Sequence, residues 1–542
     1  MTQGPVTTQA AASAPPGTFA PLHHRLFAVI WAATVLGNIG TFMRDVSSSW
    51  LVTDLSASPA AVAMIQAAGT LPVFLFAIPA GVLSDILDRR RFLIMIQIGL
   101  GLVSSCLAVL AWTGNVTVEG LILLTFLGGT GAALATPAWQ AITPELVPKA
   151  DIKGAVALNS LGINIARSIG PALGGFILAA LGAAAVYGLD VLTYVIVSAA
   201  LLWWRPKVDA GNDLREHFGG ALRAGIRYAR ASRSLHRVLW RTVLFFGFAS
   251  AVWALLPLVA RQEIGGGPGF YGLMLGSVGA GAICGALAMP RARARLGQDG
   301  LVLAATLITA GATILLALTD FEAVGLVATF VLGTAWITML TTLNGTMQAI
   351  LPNWIRGRGL AIYLTVFNGA MAAGSLGWGL VAQTMGTDAT LIVAGTVLAL
   401  SGILAHRAPL PKGESDLTPS LHWPEPALAE PVAHDRGPVM IMVTYRVAQD
   451  DRAGFLKALR RLSEERRRDG AYAWGLSEDA ADPERMVEWF FVESWAEHLR
   501  QHRRVSKEDA DLQAEAVRFH RGPEAPLVEH FLGINPGIGG KG

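Results

Sequence analysis

The chain has 542 residues, of which 53% are apolar and only 15% are Asp, Glu, Lys or Arg, and its formal net charge is +3. A soluble domain carries about 25% charged residues, so this composition excludes an ordinary soluble protein. The mild net charge hides a division between residues 26–405, which are nearly all apolar, and residues 437–535, which are dense in Arg, Glu and Asp. The sequence therefore predicts two kinds of domain.

The chain begins with residues 1–22, which are rich in Ala, Thr, Pro and Gln and predict a disordered tail without a cleavable signal peptide. A helix needs roughly 20 apolar residues to cross the hydrocarbon core of a bilayer. Twelve segments meet this requirement, at about 26–51, 59–83, 91–112, 118–140, 155–180, 183–204, 239–261, 270–290, 299–319, 323–348, 359–383 and 388–405. The predicted fold is therefore an all-α membrane domain, with six-helix bundles at 23–204 and 239–405 and a linker at 205–238.

The second half of this apolar region echoes the first. The string Gln-Ala-Ile-X-Pro occurs at 140–144 and again at 348–352, 208 residues apart. Three further matches follow at a spacing of 204 residues: Asn164 with Asn368, Gly170 with Gly374, and Gly175 with Gly379. Duplicated helix bundles are the usual architecture of secondary transporters, whose substrate site lies between the halves.

Most basic residues of the apolar region lie in alternate loops. The loops after the even-numbered helices hold most of them, at 89–91, 149–153, 205–241, 291–295 and 356–358, and Arg261 is the clear exception. The positive-inside rule places the basic loops, and with an even helix count both termini, in the cytoplasm. Arginines at helical spacing within the linker 205–238 predict an amphipathic helix on the anionic inner leaflet.

Helix 1 carries one polar stripe at spacings of three and four residues, formed by Thr34, Asn38, Thr41, Asp45 and Ser48. Because such a stripe is costly against lipid, we expect it to face other helices or an aqueous cavity. Asp45, if buried there, is the first candidate for an acid that loads and releases protons. The neighbouring Arg44 either extends outward or pairs with Asp45. A shorter polar line on helix 10 contains Thr341, Asn344 and Gln348.

Two further charges lie deep in the predicted membrane region. Arg167 on helix 5 lies about 12 residues, or roughly 18 Å, inside the boundary, and Asp190 on helix 6 reaches a similar depth from the other side. Intramembrane charges are expensive and are usually paired. We expect an Arg167–Asp190 ion pair; the alternative is that one or both residues serve proton coupling or substrate binding. Glycines at 272, 276, 279, 281 and 285 predict close packing of helix 8.

After a linker rich in Pro, Glu and Ala at 406–437, the pattern changes. Residues 438–535 predict the order strand, helix, strand, strand, helix, strand of a ferredoxin-like α+β sandwich. His498 and His502 are four residues apart, a spacing that can hold a metal, but no third ligand is identifiable and an exposed helix is the preferred interpretation. We expect Trp474, Trp489, Phe491 and Trp495 to fill the sandwich core. The sandwich resembles small cofactor-independent monooxygenase domains that pair as dimeric barrels.

Two motifs resemble those of the major facilitator superfamily. The loop Gly81-Val-Leu-Ser-Asp85-Ile-Leu-Asp88-Arg89-Arg90-Arg91 resembles the superfamily pattern Gly-X-Leu-X-Asp-Arg-X-Gly-Arg-Arg, with Ile86 and Asp88 as departures. By this resemblance, Asp85 accepts hydrogen bonds from a facing helix end and Arg89 pairs with an acid, which closes the cytoplasmic side. On helix 5, Gly170-Pro171 with Gly174 and Gly175 resembles the Gly-Pro motif of exporters, in which small residues permit close approach.

Longer runs resemble one branch of that superfamily, the enterobactin-exporter-like transmembrane secretion effectors. They are 139–148, 157–160, 167–171 and 348–358, and the C-terminal region is also similar to that branch. The resemblance implies export of a siderophore or drug-like compound by proton antiport across the bacterial inner membrane, without a cofactor, a metal or nucleic acid. Uptake, and an enzymatic or dimerising C-terminal domain, remain the alternatives.

Alternating access then implies a cavity lined by helices 1, 4, 5, 7, 8, 10 and 11. The polar residues expected to line it are Asn38, Thr41, Asn164, Asn344, Gln348 and Asn368. Asp45 is the first candidate for proton exchange and Asp190 the second. The sequence contains no nucleotide-binding Gly-Lys-Ser/Thr loop, which disfavours direct ATP drive.

Overall fold

The computed structural model describes residues 19–205, 228–352, 355–411, 430, 432–433 and 436–534. The first eleven long helices in chain order are α1 (Arg25–Leu55), α2 (Pro59–Ile86), α3 (Arg89–Thr113), α4 (Val118–Ile142), α5 (Ile152–Leu181), α6 (Ala183–Trp203), α7 (Arg233–Leu258), α8 (Pro268–Leu318), α9 (Glu322–Ile350), α10 (Arg356–Met385) and α11 (Thr387–His406). Residues 1–18, 206–227 and 412–429 lie outside this description, and with them most of the predicted tail and of both linkers.

Within the described residues, eleven helices are long and apolar enough to cross a membrane. Helix α8 differs from the others because it has 51 residues and takes a non-helical conformation at Gly297, where φ is +67°. At 1.5 Å per residue it would extend about 76 Å, far more than the ~30 Å hydrocarbon core. It includes both of the segments predicted at 270–290 and 299–319.

Local sequence signals set the ends of several helices. The Ser58 hydroxyl accepts a hydrogen bond from the Ala61 amide, with Pro59 at the first helical position of α2. The Asp88 carboxylate caps α3 in the same way, by accepting from the Arg91 amide. Gly114 ends α3 with φ at +69°, a left-handed conformation that a residue without Cβ adopts at little cost. These turns orient successive helices antiparallel.

The described chain divides into two compact units, of which the first contains Met1–Ala210, Leu244–Met339 and Leu364–Leu404. Within it α2 packs along α4, α3 along α6, and α5 lies between α1 and α8. A buried apolar core runs through these helices and includes Met43, Trp50, Leu255 and Met274. These packed helices hold the intramembrane polar groups in place.

Glycine makes the contact between α5 and α8 close. A Cβ built on Gly175 would lie 2.7 Å from Gly272 Cα, and one built on Gly272 would lie 2.7 Å from the Pro171 carbonyl oxygen. On the opposite side of α5, a Cβ on Gly174 would lie 2.8 Å from Met43 Cα, and one on Gly170 would meet Phe42. The close packing predicted for these small residues is confirmed by the geometry.

The second unit contains Gly211–Val243, Leu340–Tyr363 and Ala405–Gly542. Its C-terminal part consists of β1 (Val439–Arg446), α12 (Arg452–Asp469), β2 (Ala473–Glu478), β3 (Arg485–Val492), α13 (Trp495–Arg504), α14 (Lys507–Val517) and β4 (Leu527–Leu532). The strands form one antiparallel sheet in the order β2-β3-β1-β4. Val439, Ile441, Phe455 and Phe490 are buried in the core of this part.

The aromatic residues of this sheet divide between its two faces. Trp495 is buried and Trp474 packs against the core, as expected. Trp489 and Phe491 are only half-buried, because they alternate along β3 with the core residues Phe490 and Val492. The expectation that all four fill the core is therefore wrong for these two, since a strand turns alternate side chains to opposite faces.

Candidate functional site

Arg44 on α1 is the centre of a polar network inside the first bundle. Its guanidinium donates to the Tyr194 hydroxyl at 3.0 Å and to Asp45 Oδ1 at 3.0 and 3.3 Å. The same group lies 3.7 Å from Asp190 Oδ2 on α6. One buried cation thus faces two acids from two helices.

Asp190 contacts polar side chains from two other helices, Arg44 on α1 and Ser104 on α3. Its side chain is completely buried and its Oδ2 accepts a 2.6 Å hydrogen bond from Ser104 on α3. Gly40 on α1 faces the other oxygen, Oδ1, which has no hydrogen-bond partner among the described residues. A buried carboxylate in an ion pair tolerates removal of its partner poorly, because an uncompensated charge remains.

The expected Arg167–Asp190 ion pair is wrong. Arg167 is on the exposed face of α5, and Arg44 occupies the position beside Asp190. The prediction rests on the similar depth of Arg167 and Asp190 in the membrane. Depth does not decide the pairing, because the rotation of each helix determines which cation faces the acid. The alternative pairing of Arg44 with the neighbouring Asp45 is the one observed.

Asp45 is not buried as expected, because its side chain is 51% exposed. Its carboxylate therefore connects the buried guanidinium of Arg44 to the exposed face of α1. The structure leaves its predicted role in coupling as a prediction.

A cavity lies beside this network, with about 590 Å³ of empty space including open solvent. Its lining residues include Asn38, Thr41 and Arg44 on α1, Trp139 on α4, and Tyr194 on α6. The Thr41 hydroxyl also lies 3.3 Å from the Tyr194 hydroxyl. Helices α3 and α6, which were not expected to line a cavity, do line this one.

The other polar candidates lie apart from this cavity. Asn164 donates to the Ser160 carbonyl at 2.8 Å, and the buried Asn368 donates to the Leu364 carbonyl at 2.8 Å. In the second unit, Gln348 donates to Asn344 at 2.6 Å. Their predicted contact with substrate stays a prediction.

At the end opposite the basic loops, an ion pair within the first unit joins the two predicted six-helix bundles. Arg261, in the π-helical turn Val259–Glu263 that follows α7, forms an ion pair with Asp54 and donates to the Thr53 hydroxyl at 2.9 Å. Its guanidinium also lies 5.7 Å from the centre of the Trp50 ring. This contact accounts for the one basic residue found outside the basic loops.

Further contacts between the halves lie at the same end. Trp50 and Tyr271 have ring centres 6.0 Å apart, and Gln383 donates to the Ser58 hydroxyl at 3.1 Å. These residues come from α1, α2, α8 and α10. Together with the Arg261–Asp54 ion pair they form what we call the outer contact.

The motif between α2 and α3 makes specific contacts at the basic end. Arg89 pairs with Glu145 at 2.6 Å, so the predicted pairing of Arg89 with an acid is observed. Arg90 donates to the Leu201 and Leu202 carbonyls at 2.8 and 2.7 Å, which satisfies the C-terminal end of α6. Gly81 and Asp85 lie in the last turns of α2 rather than in a loop, and the Asp85 side chain is outside the described residues.

A second buried polar network lies in the C-terminal sheet. Glu488 on β3 is fully buried and accepts hydrogen bonds from Arg466 at 3.2 Å, Trp474 at 3.0 Å and Tyr445 at 3.2 Å. Burial, followed by the nearby Glu488 carboxylate, raises the pKa of Tyr445. Each carboxylate oxygen has a donor, so the network fixes β1, β2 and β3 to α12.

The interpretation of His498 and His502 as part of an exposed helix is wrong for His498, which is buried. A third histidine, His530 on β4, lies close to both, and the ligand atoms of the three lie within 4.8 Å of one another. His530 was missed because it lies 28 positions after His502 in the sequence, and only the pairing of β4 with β1 places it beside α13.

The model of the family described as "Transmembrane secretion effector" matches residues 16–537. The chain belongs to this family. It is therefore a member of the major facilitator superfamily.

Several curated transporters are similar in sequence. Macrolide efflux protein A of Streptococcus pyogenes is 25% identical over 48% of this chain and 65% of its own length. The staphyloferrin A transporter of Staphylococcus aureus is 24% identical over 48% of this chain and 66% of its own. The chain thus spans just under two thirds of these relatives. The multidrug efflux pump Tap of Mycolicibacterium fortuitum is 25% identical over 70% of this chain and 94% of its own length.

Solved structures share the fold. A bacterial homolog of the human lysosomal transporter Spinster, in an inward-facing and occupied conformation, matches with a TM-score of 0.58 at 13% identity, over 72% of this chain and 98% of that one. Its unoccupied form matches with a TM-score of 0.57 over 71% and 97%. At this identity the likeness shows the fold alone.

The sequence contained a signal for part of the Arg44 network that the polar stripe did not capture. Tyr187, Asp190 and Tyr194 are three and four residues apart on α6, which puts them on one helix face. Arg44 has the same spacing from Thr41 and Ser48 on α1, and Ser48 lies 3.1 Å from the Tyr187 hydroxyl. Matching these two faces would have indicated the α1–α6 contact.

Proposed function

We propose that this transporter exports a small siderophore or drug-like molecule from the cytoplasm by proton antiport and alternating access. The observation that carries the proposal is the cavity beside Arg44, whose guanidinium holds two acids of different accessibility. The printed names of the relatives, which include macrolide and multidrug efflux and staphyloferrin A transport, support export and this substrate class.

The proposed membrane topology has twelve spans, with α8 crossing twice and turning at Gly297. Support comes from the length of α8 and from the basic residues 291–295 just before the turn. With twelve spans and the positive-inside rule, both termini and all the basic loops lie on the cytoplasmic side of the bacterial inner membrane. The outer contact then lies at the periplasmic side, which corresponds to an inward-open state.

Asp45 is the proposed proton acceptor. In its ionised form it competes with Asp190 for the guanidinium of Arg44, whereas a protonated Asp45 releases Arg44 to Asp190 alone. Because Asp45 and Asp190 belong to α1 and α6, protonation changes the attraction between these helices. A change in helix packing that depends on a proton is what coupling to alternating access requires. Asp190 is buried and paired, which suits a fixed partner better than an acceptor.

The cavity lining favours an amphipathic substrate. Trp139 and Tyr194 offer aromatic surface, while Asn38 and Thr41 offer hydrogen bonds. Macrolides, siderophores and organic dyes combine these properties. The specific compound is left for transport assays to identify.

Inverted membrane vesicles with an acidic interior test the proposal. The vesicles would be prepared from cells that express the chain, and accumulation of a macrolide, staphyloferrin A and a cationic dye would be measured with and without the gradient. We expect gradient-driven uptake into the vesicles by the wild type, loss in Asp45→Asn, and retention in the control Asp320→Asn, whose side chain lies in an exposed loop. Equal gradient-driven transport in Asp45→Asn would reject the assignment of the proton to Asp45.

The same vesicles distinguish export from import. An importer coupled to protons would carry substrate out of preloaded inverted vesicles when protons leave them. It would not accumulate substrate inside the vesicles against a concentration gradient. Efflux from preloaded vesicles that follows the proton gradient would therefore reject the proposed direction. Filling driven by an acidic interior supports it.

For the C-terminal part, we propose a ferredoxin-like domain with a regulatory or dimerising role. Glu464 on α12 pairs with Arg233 at 2.5 Å, and Arg468 lies 6.0 Å from the ring of Tyr228, so α12 contacts the N-terminal end of α7 within the second unit. This contact favours regulation of the bundle. We expect Glu464→Lys to lower transport and the added Arg233→Glu to restore it, which would support the regulatory role. Unchanged transport in both the single and the double variant would reject that role.

The proposed homodimer uses the sheet face that holds Met440, Met442, Trp489 and Phe491. Across β1 and β3, Met440 pairs with Phe491 and Met442 pairs with Trp489, which forms two neighbouring apolar contacts. Two copies of one apolar face can pack against each other about a twofold axis. Light scattering of the full chain in detergent would measure the mass. A dimer that becomes a monomer in Phe491→Arg supports this role, and a wild-type monomer rejects it.

A further inference from the structure

Three histidines meet between α13 and β4 in the C-terminal part. His498 Nε2 lies 3.2 Å from His502 Nε2. The ring centre of His498 lies 4.6 Å from that of His502 and 4.7 Å from that of His530. Trp495 packs beside them, with its ring centre 5.2 Å from that of His498. The three rings therefore form one compact group, and only His498 is completely enclosed.

Burial favours the neutral form of two of these imidazoles. Burial, followed by the neighbouring His502 and His530, lowers the pKa of His498 to about 3, and burial lowers the pKa of His530. Neutral imidazole is the form that binds metal ions. The Nδ1 of His498 is buried and has no hydrogen-bond partner among the described residues. The Nε2 atoms of His498 and His502 are at hydrogen-bond distance, whereas His498 Nδ1 is left without a partner in the described part of the chain.

The spacing matches one coordination sphere. Two nitrogens at ~2.1 Å from a tetrahedral zinc ion are about 3.4 Å apart, close to the 3.2 Å between the Nε2 atoms of His498 and His502. His530 completes a set of three by a small side-chain adjustment, since all ligand atoms already lie within 4.8 Å. His502 and His530 are only half-buried, so an ion has a path to the site.

We propose that His498, His502 and His530 form a binding site for one divalent first-row transition metal ion, such as Zn²⁺, with a fourth position open to solvent. An all-imidazole donor set without a carboxylate suits Zn²⁺, Cu²⁺, Ni²⁺ or Co²⁺ and disfavours Mg²⁺ and Ca²⁺. Because His530 belongs to the edge strand β4 and the other two to α13, the ion would fasten this edge to the helix.

The experiment uses the untagged full-length chain in detergent, stripped with a chelator and then titrated with Zn²⁺ against a chromogenic competitor. We expect one tight site in the wild type and a loss of affinity of about 100-fold or more in His502→Gln and in His530→Gln. His406→Gln removes an exposed histidine outside the group and should bind like the wild type. Size-exclusion profiles of all variants identify any that misfold.

Two readouts on the wild type do not depend on any variant. Pulsed electron paramagnetic resonance of the Cu²⁺-loaded chain should count three imidazoles, and Zn²⁺ should slow hydrogen exchange in β4. Failure of the wild type to bind would overturn the proposal and leave a packed group of neutral rings. Equal binding by the wild type and both histidine variants would also overturn it, because the ion would then lie elsewhere.

Discussion

Arg261 on the second half of the bundle forms an ion pair with Asp54 on the first half. The two residues lie at the ends of α7 and α1, where Trp50 and Tyr271 also meet. In the proposed alternating-access cycle, this contact opens and closes as substrate is moved. The ion pair is therefore the place where a single charge can bias the proposed equilibrium between states.

Arg261→Gln is expected to favour the state that is open at this end. The pair is partly exposed, and such pairs contribute about 0.2–1 kcal/mol, which corresponds to roughly a 1.4- to 5-fold change in the population ratio. Labelling of a cysteine placed at Ala57, with Cys106 and Cys284 replaced, would report accessibility in vesicles. The charge exchange Arg261→Asp with Asp54→Arg should restore the wild-type rate, and failure to do so would indicate that the pair itself is unimportant.

Arg44→Gln and Asp190→Asn are each expected to destabilise the bundle strongly. Removing one member of a buried ion pair typically costs 3–5 kcal/mol, about as much as a large core truncation. The double variant should lose less than the sum, since neither charge is left alone. Thermal unfolding in detergent measures all three. Asp45→Asn is the matched control, because its half-exposed carboxylate should change stability little; additive losses would contradict the pairing.

Gly175→Ala is expected to separate α5 from α8. The added Cβ would lie 2.7 Å from the Gly272 Cα and from the Pro268 carbonyl oxygen, and backbone atoms cannot turn away as a side chain does. Overpacking of this kind costs about 1–3 kcal/mol. Gly99→Ala on α3 provides the control, because nothing lies within 4 Å of its added Cβ. Transport and melting temperature should fall in the first variant alone.

How much of this was predictable follows from the kind of information each feature needs. The helices and the glycine contacts are local or periodic, so hydrophobic length and residue size were enough to predict them. The partner of Asp190 was not predictable from depth in the membrane, because Arg44 and Arg167 lie at similar depths. Only the rotation of α1 against α6 places Arg44, rather than Arg167, beside Asp190. His530 was missed for a similar reason, since strand register is not visible in a single sequence.

Glu465 gives the C-terminal part a defined pH dependence. Burial, followed by the neighbouring Asp509, raises the pKa of Glu465 from 4.5 to about 9. The folded chain therefore holds a proton between these values that the unfolded chain has lost, and stability must fall as the pH rises through this window. Hydrogen exchange of α12 amides in the full chain, corrected for intrinsic rates, should show about 100-fold more opening at pH 8 than at pH 6, because one proton changes the equilibrium about tenfold per pH unit.

Glu465→Gln should remove most of this dependence, because its amide stays neutral at every pH. We also expect the variant to be more protected than the wild type at pH 8. Glu464→Gln, one position away and half exposed, is the matched control and should leave the pH profile unchanged. A profile that stays equally steep in Glu465→Gln would show that another group binds the proton.

The distance across the outer contact tests alternating access most directly. Spin labels at Ala57→Cys and Thr384→Cys, both exposed at that end, would be measured by double electron–electron resonance in a background without Cys106 and Cys284. We predict two distance populations, of which the shorter corresponds to the closed contact described here and the longer gains weight on acidification and in Arg261→Gln. One unchanging distance under every pH and substrate condition would contradict the account.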